Sequence, residues 1–374
     1  MKRKNVFWLV VGVLLLFGSF PMASAKNNLK TVSATVASNL SMLLNGEVWQ
    51  PKDQKGERVY PVIINGSSYL PVRVLAEALD VDIQWDSAAQ TIKIGEGTSS
   101  VQGTSSIDLT QLPLGDGKYT LMGPQKGYIY LASPPRGGDG AYKQGEWINT
   151  SEGTFDMTQK AVVDGAVKWE SELTIELKGK DRILTGNRLP DHATGRFPID
   201  PSDDAYRYDR NPNSIKEKLF QVVLPAKPLE ASKASPVTPG AIGVMLTGSL
   251  IFNGLDAAGR DAVAHETQDG CYGHPEKDGS YHYHNLSACV DDPLTGKHSK
   301  LVGYALDGFG IYGKYGENGK LVTNEDLDAF HGHSHLIEWD GERVEMYHYH
   351  TTVEFPYTIG AFKGTPVRQG LTYF

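Results

Sequence analysis

The chain is poor in sulfur: Cys271 and Cys289 are the only cysteines among 374 residues. Two cysteines are too few for a disulfide-dense scaffold or a four-cysteine zinc site. Neither lies near the N-terminus, which excludes a lipid-anchored N-terminal cysteine. Long apolar runs are missing as well. The longest, Phe7 to Phe20, has 14 residues, against about 20 for a comfortable membrane span. No Gly-x-Ser-x-Gly elbow, no phosphate-cradling glycine loop before a helix, no His-Glu-x-x-His and no EF-hand loop occurs. Basic charge is in deficit too. A formal net charge of −8 makes nucleic acid and anionic membrane surfaces poor partners.

What is present begins with an export signature. Lys2-Arg3-Lys4 precedes the apolar run, and Ala23-Ser24-Ala25 is a small-residue cleavage site. Residues 1–25 are therefore expected to be a signal peptide, giving a secreted or cell-surface protein with no membrane span after cleavage. Removal of three basic and no acidic residues takes the charge from −8 to −11. Outside the cytoplasm Cys271 and Cys289 are expected to pair. A cysteine pair ligating zinc is the competing reading.

After a polar lead-in, residues 40–95 read as a small α+β unit. Asn45-Gly46 and Asn65-Gly66 are hairpin turn signals. Val72, Leu75, Ala76 and Leu79 fall at i, i+3, i+4 and i+7, the apolar face of two helical turns. Residues 96–106 are rich in Gly, Ser and Thr and read as a linker. From residue 107 onward short strand-like runs alternate with turns, including Leu173 to Leu177, Arg182 to Thr185, Leu219 to Leu224 and Ile242 to Ile251. Asn324 to Phe330 is the one later helix expected. The fold class is mainly β with minor α (α+β), the larger unit being sandwich-like.

The chemistry concentrates late. Ten of the eleven histidines lie between His265 and His350. Tyr281-His282-Tyr283-His284 recurs letter for letter as Tyr347-His348-Tyr349-His350. On a strand, alternate side chains share a face, so His282 pairs with His284 and His348 with His350, with tyrosines behind. If the two strands lie side by side, four imidazoles converge, a donor set that suits copper or zinc. His274, in Gly273-His274-Pro275, is a further candidate ligand. Asp307, Asp269, Glu266, Tyr283, Tyr349 and His192 are candidates to orient the imidazoles or flank the site. His331, His333 and His335 alternate in the same way. The competing reading is a Tyr–His hydrogen-bond network that serves structure alone.

Two resemblances follow from these residues. Val62-Ile63-Ile64-Asn65-Gly66-Ser67-Ser68-Tyr69-Leu70-Pro71-Val72-Arg73, with Leu75 to Leu79 and Trp85-Asp86, resembles the copper amine oxidase N-terminal-like domain. That resemblance implies a stalk or attachment module, able to meet a cell-wall or surface component. It holds no His or Cys here. Asp269 to Pro275, Gly279 to His284, Leu301 to Gly313 and Tyr347 to Thr351, with Phe355 to Gly360, resemble the YHYH-domain family, over about residues 150–374. The resemblance implies a second cysteine pair where this chain has Phe330 and Ala361, so a second disulfide is not expected. The expected function is a secreted metal-binding protein. An extracellular copper oxidase or zinc hydrolase, and a surface-interaction protein with structural histidines, are the alternatives.

Overall fold

The computed structural model describes residues 33–44, 47–52, 57–64, 67–78, 83–86, 91–94, 107–138, 140–367 and 372–373. The expected signal peptide, residues 1–25, and the expected linker at 96–106 lie outside these residues. The described part is mainly β, with two short helices, Val72–Ala78 and Ala262–His265. Two compact units divide between Thr98 and Ser99.

In the N-terminal unit Met42–Leu44 pairs antiparallel with Glu47–Trp49, and Val62–Ile64 pairs with Ser67–Tyr69, as the two Asn-Gly signals lead one to expect. Thr35–Val36 adds a third strand beside Val62–Ile64. On the helix Val74 is the buried apolar residue, and Leu75 stays 39% exposed.

The second unit is organised around an eight-stranded sheet. Its strands in chain order are β1 (Ala241–Met245), β2 (Leu250–Phe252), β3 (Gly273–Pro275), β4 (Tyr281–Tyr283), β5 (Leu301–Ala305), β6 (Gly310–Tyr312), β7 (Gly332–Trp339) and β8 (Glu342–His350). Their order across the sheet is β3-β4-β2-β1-β5-β6-β8-β7. The apolar run from Ile242 to Ile251 is thus a hairpin and not one strand. The turn at its centre, Met245 to Ser249, is closed by the Gly248 N–H donating to the Met245 carbonyl.

The order is a palindrome, and the registers show why. β1 against β2 pairs Gly243 with Ile251 and Val244 with Leu250, with an irregularity between Ala241 and Gly243. β5 against β6 pairs Gly303 with Ile311 and Tyr304 with Gly310, with the irregularity between Leu301 and Gly303. Each residue of the second pair lies 60 positions after its counterpart. β2 runs parallel to β4, with Ile251 opposite Tyr283, and β6 runs parallel to β8, with Ile311 opposite Tyr349. β3 sets His274 against His282, and β7 sets His333 against His348. At the centre β1 and β5 pair antiparallel through Gly243↔Ala305, Val244↔Tyr304 and Met245↔Gly303, a pattern that maps onto itself when the halves are exchanged. Loops repeat too: the Asp256–Arg260 turn, where the Gly259 N–H meets the Asp256 carbonyl, returns as Gly319 to Gly316. The sheet is therefore an internal duplication with a pseudo-two-fold axis through its centre.

Backbone chemistry sustains both copies. A Cβ on Gly243 would sit 2.6 Å from the Tyr304 carbonyl oxygen, and one on Gly303 2.8 Å from that of Val244. Only glycine lets the two halves approach this closely. Tyr272 and His331, equivalent positions before β3 and β7, both adopt the left-handed region, at φ 64° and 75°.

A four-stranded sheet, Leu173–Lys178, Asp181–Gly186, Phe220–Pro225 and Thr372–Tyr373, turns Leu184, Phe220, Val222 and Leu224 inward. They join the same core as Val244, Ile251 and Ile311, giving the two-sheet arrangement expected of a sandwich-like unit. The expected helix at Asn324 to Phe330 is only a 3₁₀ turn, Asn324–Asp326, capped by the Thr323 and Asp326 side chains. A further turn, in which the His331 N–H donates to the Asp328 carbonyl, follows before β7 begins at Gly332. No described helix is long and apolar enough to cross a membrane.

Cys271 and Cys289 form a disulfide that encloses β3 and β4. Closing a loop of 18 residues' separation is worth about 3 kcal/mol through the unfolded chain. Cys271→Ser/Cys289→Ser is accordingly expected to lower the urea-unfolding free energy by about 3 kcal/mol. A loss below about 1 kcal/mol would show that the loop is held by its packing. Phe330 occupies the place of Cys271 in the second copy: each donates its backbone N–H to the aspartate two residues earlier, Asp328 or Asp269. The Gly360 N–H, beside Ala361, donates to the Phe330 carbonyl.

Candidate metal centres

β4 and β8 do not meet. Four strands lie between them, which at about 4.8 Å per strand puts the two tetrapeptides on the order of 20 Å apart. The expectation of one four-histidine cluster is thus replaced by two histidine clusters, one per half. The reason is topological: each Tyr-His-Tyr-His strand pairs within its own copy, and the copies join through β1 and β5.

Strand alternation puts His282 on the same face as Leu250 and Val244, and His348 on the same face as Gly310 and Tyr304. Val244 and Tyr304 are direct partners, so both clusters lie on one face of the sheet.

In the first cluster His274, His282 and His284 bring ring nitrogens within 4.8 Å of one another. All three are buried. The Nδ1–H of His284 donates to the Asn253 carbonyl at 2.6 Å and that of His282 to the Ser280 carbonyl at 3.2 Å. Phe252 stacks on His282 at 3.9 Å between centroids. Glu266 Oε2 lies 3.3 Å from His284 Nε2 and 3.5 Å from His274 Nε2. That oxygen and both Nε2 atoms are buried without a hydrogen-bond partner. Burial, then the neighbouring imidazoles, hold His274 and His282 well below the ordinary histidine value. For His284 burial is the largest single influence and acts downward, but the Glu266 carboxylate, the bond to the Asn253 carbonyl and the Asp256 charge together outweigh it and the net shift is upward.

The second cluster has five imidazoles, His298, His333, His335, His348 and His350, again within 4.8 Å. The anchoring repeats: His350 Nδ1–H donates to the Gly313 carbonyl at 2.6 Å, and His348 Nδ1–H to that of Met346 at 3.1 Å. His298 Nδ1–H donates to the Ser299 carbonyl at 2.7 Å. A carbonyl only accepts, so in each neutral ring the proton is on Nδ1 and Nε2 carries a bare lone pair. Yet His298 Nε2 lies 3.1 Å from the Nε2 of both His348 and His350. Three lone pairs that close repel, and no ring has a second proton to share. Protonation is opposed by burial, which pushes His348 down to about 2 and His333 to about 4. Burial also lowers His298, and holds His350 far below its ordinary value. Nitrogens about 2.05 Å from one cation at right-angled to tetrahedral geometry are about 2.9–3.3 Å apart. The observed spacing fits that range, and His333 and His335 add Nε2 atoms that have no partner.

The tyrosines face the other way and are fully used there. Tyr281 Oη donates to Asp269, 2.9 Å to each oxygen, and Tyr347 Oη to Asp328 at 2.9 Å. Tyr349 Oη donates to Asp307 at 2.6 Å. Tyr283 Oη meets His192 Nε2 at 2.6 Å and Thr247 Oγ1 at 3.0 Å. Asp307, Asp269, His192, Tyr283 and Tyr349 therefore brace the tyrosine layer and orient no imidazole of either cluster. Of the carboxylates considered, Glu266 alone reaches the imidazoles. His331 also falls outside: its Nε2 bonds Thr352 Oγ1 at 3.0 Å. His298 has no alternating partner in the sequence, and only the loop before β5 delivers it. A third grouping, His192 with Cys271 and Cys289, has its sulfurs tied up in the disulfide.

These buried histidines give the apo-protein a pH signature. His331, pushed down to about 3 by burial alone, takes up its proton on unfolding at the ordinary 6.5. A depressed folded value means that stability is full above about 6.5 and drains as pH falls toward 3. His333 and His348 act in the same direction, and His284 opposes them. The urea midpoint of chelator-treated protein is expected to fall steadily from pH 7 to pH 4.5. A flat midpoint over that range would contradict the burial of these rings.

The sheet, its paired histidine strands and the separate N-terminal unit define a two-module protein, and the comparisons with known families agree. The model of the family described as YHYH protein matches residues 221–321, spanning β1 to β6. That of the copper amine oxidase N-terminal domain matches residues 21–94 and 52–108. Both modules that the sequence resembles are therefore present. The YHYH match is narrower than residues 150–374 and covers the first copy with the opening strands of the second. No curated protein and no solved structure matches the chain.

Proposed function

We propose that this is an extracytoplasmic transition-metal-binding protein, with copper or zinc held by the two histidine clusters. The observation that carries the reading is the set of convergent Nε2 lone pairs. The Nδ1 atoms of His282, His284, His298, His348 and His350 are committed to carbonyls, and burial makes protonation costly at His274, His282, His298, His333, His348 and His350. A cation relieves both problems, whereas a purely structural network would have left donors facing acceptors. His274, His282 and His284, with Glu266, would hold one ion, and His298, His333, His335, His348 and His350 another. The disulfide and the Lys2 to Ala25 export signature support a location outside the cytoplasm.

The test is metal analysis of untagged protein, as purified and after reconstitution of the apo-protein with copper or zinc. Close to two equivalents of transition metal are expected. Less than about a tenth of an equivalent after reconstitution would end the proposal.

A further inference from the structure

The duplication makes the two clusters comparable residue by residue. The shared trio is His274, His282 and His284 in the first copy and His333, His348 and His350 in the second, matched by strand register. What was added to the trio differs in charge. The first copy adds an anion, Glu266, within 3.3–3.5 Å of two imidazoles. The second adds only neutral rings, His298 and His335. The position of His335, opposite Met346, is taken in the first copy by Glu276, opposite Ser280. The place of His298, 60 residues earlier, is Thr238.

We infer, building on the metal-binding reading, that the two halves select different ions: a divalent ion of the zinc class at His274, His282, His284 and Glu266, and monovalent copper at the five-imidazole cluster. The argument is one of buried charge. Desolvation cost rises with the square of the charge, so a divalent ion among neutral donors costs roughly four times what a monovalent one does. In the first copy the Glu266 carboxylate, 15% exposed, cancels one charge of a divalent ion. Three imidazoles and one carboxylate also form a closed four-ligand set with the donor types of protein zinc sites. Among the described residues, no carboxylate of the second copy stands inside the ring cluster. The nearest approach is Glu317, 3.9 Å from His335 Nδ1 on the outer side, and it is 68% exposed, where solvent screens it. Neutral imidazoles suit copper. With these assignments each centre carries the same residual charge of about +1, the smallest that either donor set allows with its ion.

Divalent copper outcompetes zinc at most nitrogen and oxygen sites, so the discriminating probe is copper supplied as Cu(I). Full-length apo-protein would be incubated anaerobically with one equivalent each of Cu(I) and Zn(II), desalted, and analysed for both metals. The expected result is one of each in the wild type. Glu266→Gln keeps the side-chain shape and removes the charge. It should weaken zinc retention at least about 10-fold and leave copper unchanged. His333→Ala/His335→Ala should do the reverse. Copper and zinc distributed alike over both centres, or zinc retention untouched in Glu266→Gln, would overturn the inference while leaving the metal-binding reading intact. A wild type that retains neither metal would overturn both. Circular dichroism of each variant separates loss of a centre from loss of the fold.

Discussion

His348→Ala/His350→Ala should drop the metal stoichiometry from two ions to one and weaken binding at the second cluster by more than about 100-fold. These two rings supply the Nε2 atoms 3.1 Å from that of His298. They are also the most deeply held members, 0% exposed, with Nδ1 anchored to Met346 and Gly313. His298, His333 and His335 are only partly buried and would be left without the rigid pair that orders them. Loss of a group that merely orients a ligand costs about 10–100-fold in metal affinity, so loss of two ligands should cost more. The first cluster, five strand positions away, should keep its ion, because sites this far apart behave independently. Competition against a chelator of known affinity would measure this. Loss of both ions would show that the halves are coupled. Retention of both would refute the assignment of the second cluster.

Asp269→Ala should strongly destabilise the larger unit, lowering its unfolding free energy by at least about 4 kcal/mol. Asp269 is buried and accepts from the Gly195, Cys271 and Gly273 N–H groups and from Tyr281 Oη. Each buried donor left without a partner costs about 1–3 kcal/mol, and total stabilities are about 5–15 kcal/mol. The duplication supplies an internal control. Asp328 accepts from the Phe330 and Gly332 N–H groups and from Tyr347 Oη, the same three contacts, but it is only partly buried. Water can reach the groups it leaves behind, so Asp328→Ala should cost less, about half as much. Urea denaturation of both variants in chelator decides the matter. Equal losses would mean that burial is not what makes Asp269 important.

Much of the site's local chemistry was legible in the chain. Strand alternation divided the tyrosines from the histidines of each tetrapeptide, and the disulfide around the first copy followed from two cysteines and an export signature. His274 was found because Gly273-His274-Pro275 stands just before that strand. His298 was not, since a lone histidine in a loop carries no periodicity. Asp307 and His192 were placed near the imidazoles when they serve the tyrosine face, because sequence distance does not report which side of a sheet a distant side chain reaches. The duplication was visible only as a repeated tetrapeptide. Outside it, Gly243, Gly248 and Ile251 recur as Gly303, Gly308 and Ile311, a backbone pattern too sparse to recognise without the registers.

Local order was therefore written in the residues themselves: a side-chain period of two and turn-forming Asn-Gly pairs. Which strands would be neighbours was not. Pairing between strands 60 residues apart depends on the summed packing of a whole core, and either partner could satisfy the backbone of β4 or β8. The tertiary structure decided that each histidine strand stays within its own half, and so replaced one expected four-histidine cluster with two separate ones.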